Sequence, residues 1–326
     1  MEKFKVLATR RIPEVGLDIL EPRCELDVFE GEAPIPRDTL LTRVRGKDGM
    51  LCLLSDTIDR EVIDLAGGRL SVISNYAVGC NNIDVEYATG KGILVTNTPG
   101  VLTEATADLT WALLLACARR IPESDRFVRS GRFFGWGPTL MLGFETSGKK
   151  IGIVGMGEIG KAVARRARGF GMRIVYHNRK RDLEGERDLG AVYVPMEELL
   201  RTSDFVTLHV PLTPETRGLI GRKELGMMKP TAVFLNAARG EIVDEQALVE
   251  ALREGRIAAA GLDVYQNEPR LSTGLAELEN VVLTPHTGSA THEARNKMAI
   301  IAAENLVAAL TGKRPRNLVN PIAWKG

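Results

Sequence analysis

The sequence predicts an α/β protein made of two doubly wound parallel-sheet domains. Three observations carry that expectation. Short apolar runs alternate with stretches of helical spacing along most of the chain, the pattern of parallel strands covered by helices. One such run, Ile151, Ile153 and Val154, leads into Gly155-x-Gly157-x-x-Gly160, and Lys161 to Gly171 follows with helical spacing. The chain has 326 residues, 44% of them hydrophobic, which suits two domains at the usual ~100–200 residues each.

The first half alternates regularly. Strands are expected at 4–8, 25–29, 50–54, 70–75 and 93–97, with helices at 13–20, 38–44, 60–66 and 85–89. Tyr76-Ala77-Val78-Gly79 stands directly after the fourth strand. Loops at the carboxyl ends of strands are where open α/β sheets bind ligands, so the N–H groups of Val78 and Gly79 are candidates to hold a small carboxylate. A plain glycine turn accounts for the same residues. Asn97-Thr-Pro-Gly100 breaks the pattern, and a long helix follows at 103–120. Between 127 and 144 lies a Gly-rich stretch with Phe133, Phe134 and Trp136. Aromatics in so irregular a segment suggest an arm that packs on a second subunit.

The second half repeats the alternation. Strands are expected at 173–177, 205–210, 232–236, 259–264 and 281–283, and an amphipathic helix at 244–253. A final helix at 291–310 falls after this series and is expected to pack back on the first domain. The substrate domain is then discontinuous, 1–98 plus 287–326, and the dinucleotide domain is 99–286 with an arm at about 121–145. The cleft is expected between the two.

The strand–glycine–helix order gives Gly155-x-Gly157-x-x-Gly160 its meaning. The first glycine allows the tight turn, the second lets the backbone approach a pyrophosphate, and the third lets the helix pack close. Gly155, Gly157, Glu158, Ile159 and Gly160 are therefore the expected phosphate-side contacts of a dinucleotide. An acidic residue ~20 positions further on usually bonds the adenine ribose. Here Asn178 stands there, followed by Arg179, Lys180 and Arg181. A carboxylate would repel a 2′-phosphate, whereas Asn can donate to one and Arg can bind it bidentately. NADP(H) is thus expected over NAD(H), which remains possible; a solvated basic turn is the plainer alternative.

Three polar residues stand at later strand ends: Arg239 after AVFLNAA, Glu268 in Asn267-Glu268-Pro269, and His286 at the end of VVLTPH. Carbonyl reduction needs a proton donor and a positive charge near the substrate oxygens. His286 suits the first role, Glu268 would steady its ring and favour its charged form, and Arg239 can bind a carboxylate and polarise a keto oxygen. Taken singly, Arg239 and Glu268 read more readily as members of structural ion pairs, and a helix cap or a strand-end contact accounts equally for His286.

Taken together, GMGEIG, NAARG, GLDVYQNEP and LTPHTGSAT, in that order, resemble the D-isomer-specific 2-hydroxyacid dehydrogenases over essentially the full chain. NYAVGCNNID, NTPGVLTEATADL and PHTGSATHEAR look most like the glyoxylate/hydroxypyruvate reductase branch. The resemblance implies a flavodoxin-like substrate domain, a Rossmann domain, and reduction of a small 2-oxo acid. It implies Arg239, Glu268 and His286 as the catalytic set, and Val78 and Gly79 as carboxylate-binding amides. Thr106, Val210, Pro211, Thr216, Ala237 and Asp263 match cofactor-contacting positions, with Asp263 on the nicotinamide carboxamide. Gly288 is expected beside the cofactor and Ser289 beside the substrate. Trp136 matches a tryptophan that can reach the other subunit's active site, so a homodimer is implied. Ala238 and Thr287 depart from the residues common in the family. His177, His209 and His292 match no catalytic position and read as structural.

Composition narrows the alternatives. Lys+Arg is 43 and Asp+Glu 42, for a net charge of +1, so nothing marks a nucleic-acid partner. The four scattered cysteines read as reduced, cytoplasmic thiols with no metal site. The N-terminus reads as a strand and not a signal peptide, and no apolar window is long enough for a membrane span. The competing readings are NAD-dependent oxidation of another small acid, such as 3-phosphoglycerate, formate or phosphite, and a non-enzymatic dinucleotide-sensing corepressor.

Overall fold

Residues 3–325 are described by the computed structural model. Their contacts divide into two compact units. One contains the residues up to Leu102 and those from Ala290 on, and the other is Thr103–Ser289. The crossings fall a few residues beyond the expected 98/99 and 286/287. Val101 and Leu102 pack on the first unit's core, and the N–H groups of Thr287 and Gly288 are held by Asp263 of the second unit.

In the first unit, β1 (Phe4–Ala8), β2 (Cys24–Val28), β3 (Gly49–Cys52), β4 (Val72–Asn75) and β5 (Leu94–Thr96) form one sheet in the order β2-β1-β3-β4-β5. All four pairings are parallel, the flavodoxin-like arrangement. The strands alternate with α1 (Glu14–Leu20), α2 (Arg37–Arg43), α3 (Arg60–Ala66) and α4 (Val85–Gly90). The last two start on aspartates: Asp59 accepts from Val62 N and Asp84 from Tyr87 N, which satisfies donors a helix leaves open. The sheet separates two apolar cores, one around Leu51 and Val72 and the other around Met50 and Ile73. Neighbouring residues of β3 and β4 thus point to opposite faces, as period-two alternation requires.

The second unit opens with α5 (Thr103–Ala118) and α6 (Ile121–Arg129). Its sheet contains β6 (Lys150–Val154), β7 (Arg173–His177), β8 (Val192–Tyr193), β9 (Phe205–Leu208), β10 (Val233–Asn236), β11 (Ala259–Leu262) and β12 (Val281–Leu283). The order is β12-β11-β10-β9-β6-β7-β8, parallel throughout. Chain order reverses at β6, between β7 on one side and β9 on the other. This is the switch point where loops at the strand ends diverge and leave a crevice. Connecting helices are α7 (Glu158–Gly169), α8 (Leu183–Leu189), α9 (Met196–Thr202), α10 (Arg222–Leu225) and α11 (Glu245–Arg253). β9, β10 and β11 are buried at every position, as strands covered on both faces must be.

The last long helix, α12 (His292–Leu310), packs in the first unit against α1, β3 and β4. Among the described helices none is long and apolar enough to cross a membrane. The four cysteines are free thiols, with Cys24, Cys52 and Cys117 buried.

Candidate active site

The glycine loop after β6 assigns each glycine a physical reason. Gly155 has φ +100, and a Cβ there would lie 2.5 Å from the His209 carbonyl oxygen at the end of β9. A Cβ on Gly160 would lie 2.1 Å from the Gly155 oxygen. Both are therefore required by the protein's own packing. Gly157 is different: a Cβ there meets nothing within 4 Å, and its φ of −79° is open to any residue. Gly157 is also the N-cap of α7, with no side-chain cap. Open space over a backbone at a helix N-terminus fits a pyrophosphate, which needs both the close approach and the N–H donors.

The turn after β7 is locked to that loop. Asn178 Oδ1 accepts from Met156 N at 2.7 Å, which fixes the amide orientation and leaves its NH2 as the donor end. Arg179 and Lys180 are exposed, and neither forms an ion pair with a described residue. Of the other expected cofactor contacts, Thr216 Oγ1 donates to Pro211 O at 2.6 Å and accepts from Thr213 N at 2.8 Å, bracing the loop that begins at Val210. Ala237 is half-buried at the end of β10.

His286 follows β12 in a turn with φ 54°, a region few non-glycine residues adopt. Its N–H donates to Asp263 O at 2.9 Å and to Thr284 O at 3.1 Å. Around it, Asp263 Oδ1 accepts from Thr284 Oγ1 at 2.6 Å, Thr287 N at 2.7 Å and Thr287 Oγ1 at 3.1 Å. Oδ2 accepts from Gly288 N at 2.8 Å, and Gly288 O accepts from Thr106 Oγ1 at 3.2 Å. Thr106, Asp263 and Gly288, expected separately beside the cofactor, thus form one buried cluster that holds the His286 turn.

The His286 ring meets Glu268, with Nδ1 2.9 Å from Oε2. Glu268 Oε1 accepts from Tyr265 N at 3.0 Å. Burial pushes the Glu268 carboxyl up, but the hydrogen bond and charge of His286, the Tyr265 N–H and the Arg239 charge outweigh it and hold it below the usual range. Ionised Glu268 accepts only, so Nδ1 carries the hydrogen of this pair.

Arg239 stands at the end of β10, where Nη1 donates to Ala238 O at 2.6 Å. Asn236, buried, donates to Arg239 O at 2.9 Å and accepts from Ala238 N at 3.0 Å. Gly240 presses on the next strand end: a Cβ there would lie 2.0 Å from Tyr265 O. That approach brings the Arg239 turn against the loop carrying Glu268. Buried Glu245, from the first turn of α11, fixes the same loop by accepting from Gln266 N at 2.5 Å and Ser272 Oγ at 2.6 Å. Asn236 and Glu245 do not stand out in the sequence; an acidic residue just inside a helix start normally reads as a dipole partner.

In the first unit the loop after β4 has the carbonyls of Val78 and Gly79 tied down. Asn97 Nδ2 donates to Val78 O at 2.7 Å and Asn75 Nδ2 to Gly79 O at 2.8 Å. Among the described residues the N–H groups of Val78 and Gly79 have no acceptor. Asn82 extends the support, donating to Leu53 O at 3.0 Å and Asp56 O at 3.2 Å. Ser289 is half-buried. In the arm, Phe134 is 95% and Trp136 85% exposed, so no described residue covers them. His177 Nδ1 contacts Val194 O at 3.0 Å and His209 Nε2 contacts Thr207 Oγ1 at 2.9 Å; both serve the sheet. His292 is exposed at the start of α12.

Comparison with known proteins gives a consistent result. Residues 111–288 match the model of the D-isomer specific 2-hydroxyacid dehydrogenase, NAD binding domain, family. The chain is 53% identical to a glyoxylate reductase of Thermococcus litoralis over 98% of its own length and 97% of that protein's. It is 54% identical to a glyoxylate reductase of Pyrococcus furiosus, over 98% and 96%. Among solved structures, a Thermus thermophilus protein superposes with a TM-score of 0.91 at 49% identity, covering 97% of this chain and 99% of that one. An NADPH-dependent glyoxylate/hydroxypyruvate reductase of Sinorhizobium meliloti, solved with NADP and malonate, gives a TM-score of 0.87 at 32% identity over 100% and 99%. The chain belongs to the D-isomer-specific 2-hydroxyacid dehydrogenases and is an oxidoreductase carrying that family's nicotinamide-dinucleotide-binding domain.

Proposed function

We propose that this enzyme reduces small 2-oxo acids, glyoxylate and hydroxypyruvate, to the 2-hydroxy acids, and prefers NADPH to NADH. The observation that carries the reading is the His286–Glu268 pair, with ring Nδ1 2.9 Å from the carboxylate at the end of a strand of the dinucleotide-binding unit. Relatives named glyoxylate reductase support the substrate, and the Sinorhizobium enzyme, whose name includes hydroxypyruvate and NADPH, supports the wider scope.

Each residue has a task in this scheme. The bound nicotinamide supplies the hydride that reaches C2 of the acid. Protonated His286 gives its Nε2 proton to the carbonyl oxygen, and Glu268 keeps the ring aligned through Nδ1. Arg239 binds the acid's carboxylate and polarises the carbonyl. The N–H groups of Val78 and Gly79 bind the same carboxylate, and Ser289 adds a hydroxyl. Gly155, Gly157, Glu158, Ile159 and Gly160 would hold the dinucleotide phosphates. Asn178, Arg179 and Lys180 would hold the ribose 2′-phosphate. The loop of Val210, Pro211 and Thr216, together with Ala237, Thr106, Asp263 and Gly288, lines the rest of the dinucleotide. Residues of the first unit bind the acid, and the exposed aromatics of the arm at about 121–145 pair with a second copy, where Trp136 contacts the partner's substrate.

Loss of reduced-nicotinamide absorbance, measured with glyoxylate, hydroxypyruvate and pyruvate against NADPH and NADH, tests this reading. Rapid turnover is expected with NADPH and glyoxylate or hydroxypyruvate. Faster turnover with NADH would overturn the cofactor preference alone. No turnover with any pair, in protein that still binds the dinucleotide, would overturn the reductase.

A further inference from the structure

The turn that follows β7 is not basic by composition. Residues 178–186 contain three cations, Arg179, Lys180 and Arg181, and three anions, Asp182, Glu184 and Glu186. Left to themselves the anions would neutralise the cations, and the turn would offer a 2′-phosphate no net attraction. In the folded protein the anions are paired away from Arg179 and Lys180.

Arg181 is held by Glu186, with Nη2 2.6 Å from Oε2 and Nε 3.0 Å from Oε1. Its guanidinium also lies over the Tyr193 ring, 5.9 Å from the centroid. Glu186 is further fixed by Tyr176, whose hydroxyl donates to Oε1 at 2.7 Å and accepts from Asp182 N at 2.7 Å. The other two anions are taken by a residue outside the turn. Lys161, on the first turns of α7, places Nζ 3.0 Å from Asp182 Oδ2 and 3.1 Å from Glu184 Oε2. Asp182 is fixed from its other oxygen, which caps α8 by accepting from Gly185 N at 3.2 Å. Arg179 and Lys180 remain exposed and outside any ion pair among the described residues. Glu215, from the loop after β9, feels the Arg179 charge only at a distance.

We infer that Lys161 is a cofactor-selectivity residue: by binding Asp182 and Glu184 it leaves Arg179 and Lys180 to the 2′-phosphate. The inference rests on the NADPH reading above and deepens it. Lys161 acts as a positioning residue, through charge and without touching the nucleotide. The two ion pairs also hold the Lys161 ammonium protonated well above neutral pH, with Asp182 the stronger influence and Glu184 the second. Lys161 and Asp182 are half-buried and Glu184 is exposed, and the contribution argued for these pairs lies in the local potential. One unit charge about 10 Å from a phosphate dianion in water changes affinity by roughly fourfold unscreened, and by about 1.5-fold once ~0.1 M salt screens it.

Titration calorimetry of adenosine 2′,5′-bisphosphate and of 5′-AMP separates the 2′-phosphate contribution from the rest of the nucleotide. The wild-type protein is expected to favour the bisphosphate. Lys161→Met, which keeps the aliphatic stem, should lose about two- to fourfold of that preference at low salt, with AMP affinity unchanged. Lys161→Arg should restore it, and Lys161→Met combined with Glu184→Gln should recover most of it, because the freed carboxylate is then gone. The loss should shrink between about 0.02 M and about 0.5 M salt. If the wild type discriminates and Lys161→Met keeps the full ratio, or weakens both nucleotides alike, the role of Lys161 falls and the cofactor reading stands. If the wild type binds both nucleotides equally, the cofactor reading itself falls and the inference with it.

Discussion

Two strand-end loops show how one principle gives opposite results. After β4, side-chain donors hold the turn: Asn97 and Asn75 bond the carbonyls of Val78 and Gly79. After β12, a side-chain acceptor holds it: Asp263 takes the N–H groups of Thr287 and Gly288 and the hydroxyls of Thr284 and Thr287. A turn held through its carbonyls keeps N–H groups for an anion. One held through its N–H groups can instead lift a side chain, here His286 at φ 54°. The kind of supporting residue thus decides whether a loop offers backbone donors or an imidazole side chain.

That contrast can be broken at its strongest point first. His286→Ala should lower kcat about 10²–10⁴-fold, the usual worth of a general acid, while fluorescence titration finds cofactor affinity nearly intact. Unchanged turnover would remove His286 from the chemistry.

Next, Asp263→Asn replaces an acceptor-only carboxylate with a group that cannot accept at both ends. The Thr287 or Gly288 N–H then lacks a partner, at a cost of about 2–4 kcal/mol in urea unfolding. An unfolding midpoint equal to the wild type's, at equal m, would mean that the turn holds itself.

The smallest effect is expected at the other loop. Asn97→Ala frees the Val78 carbonyl and leaves the fold intact, since the Asn97 side chain is only half-buried. KM for the oxo acid should rise about fivefold, the worth of roughly 1 kcal/mol of lost positioning, with kcat little changed. An unaltered KM would separate this loop from acid binding.

Much of the architecture was legible in the chain. The strands and helices of the first unit fall within a few residues of the expected spans, because each strand is a short apolar run closed by a turn residue. The glycine fingerprint announced α7, which begins at Glu158, inside the motif, and not at Lys161. Residues 183–202 were not assigned from sequence. They form α8, β8 and α9, two seven-residue helices around a two-residue strand, too short for either period to register.

The sequence by itself determined the element order, the parallel class, the phosphate-type loop, and the placing of Arg239, Glu268 and His286 at strand ends. These are local properties: periodicity, glycine spacing, and the residue that follows an apolar run. Only the tertiary structure decided that Glu268 meets His286, and that Asn236, Glu245 and Asp263 support the turns around them. It alone placed Lys161 against Asp182 and Glu184, 21 and 23 residues further along the chain. The reason is physical. A parallel sheet brings together strand ends separated by a whole crossover, so its side-chain partners are set by strand order and packing, which no local pattern records.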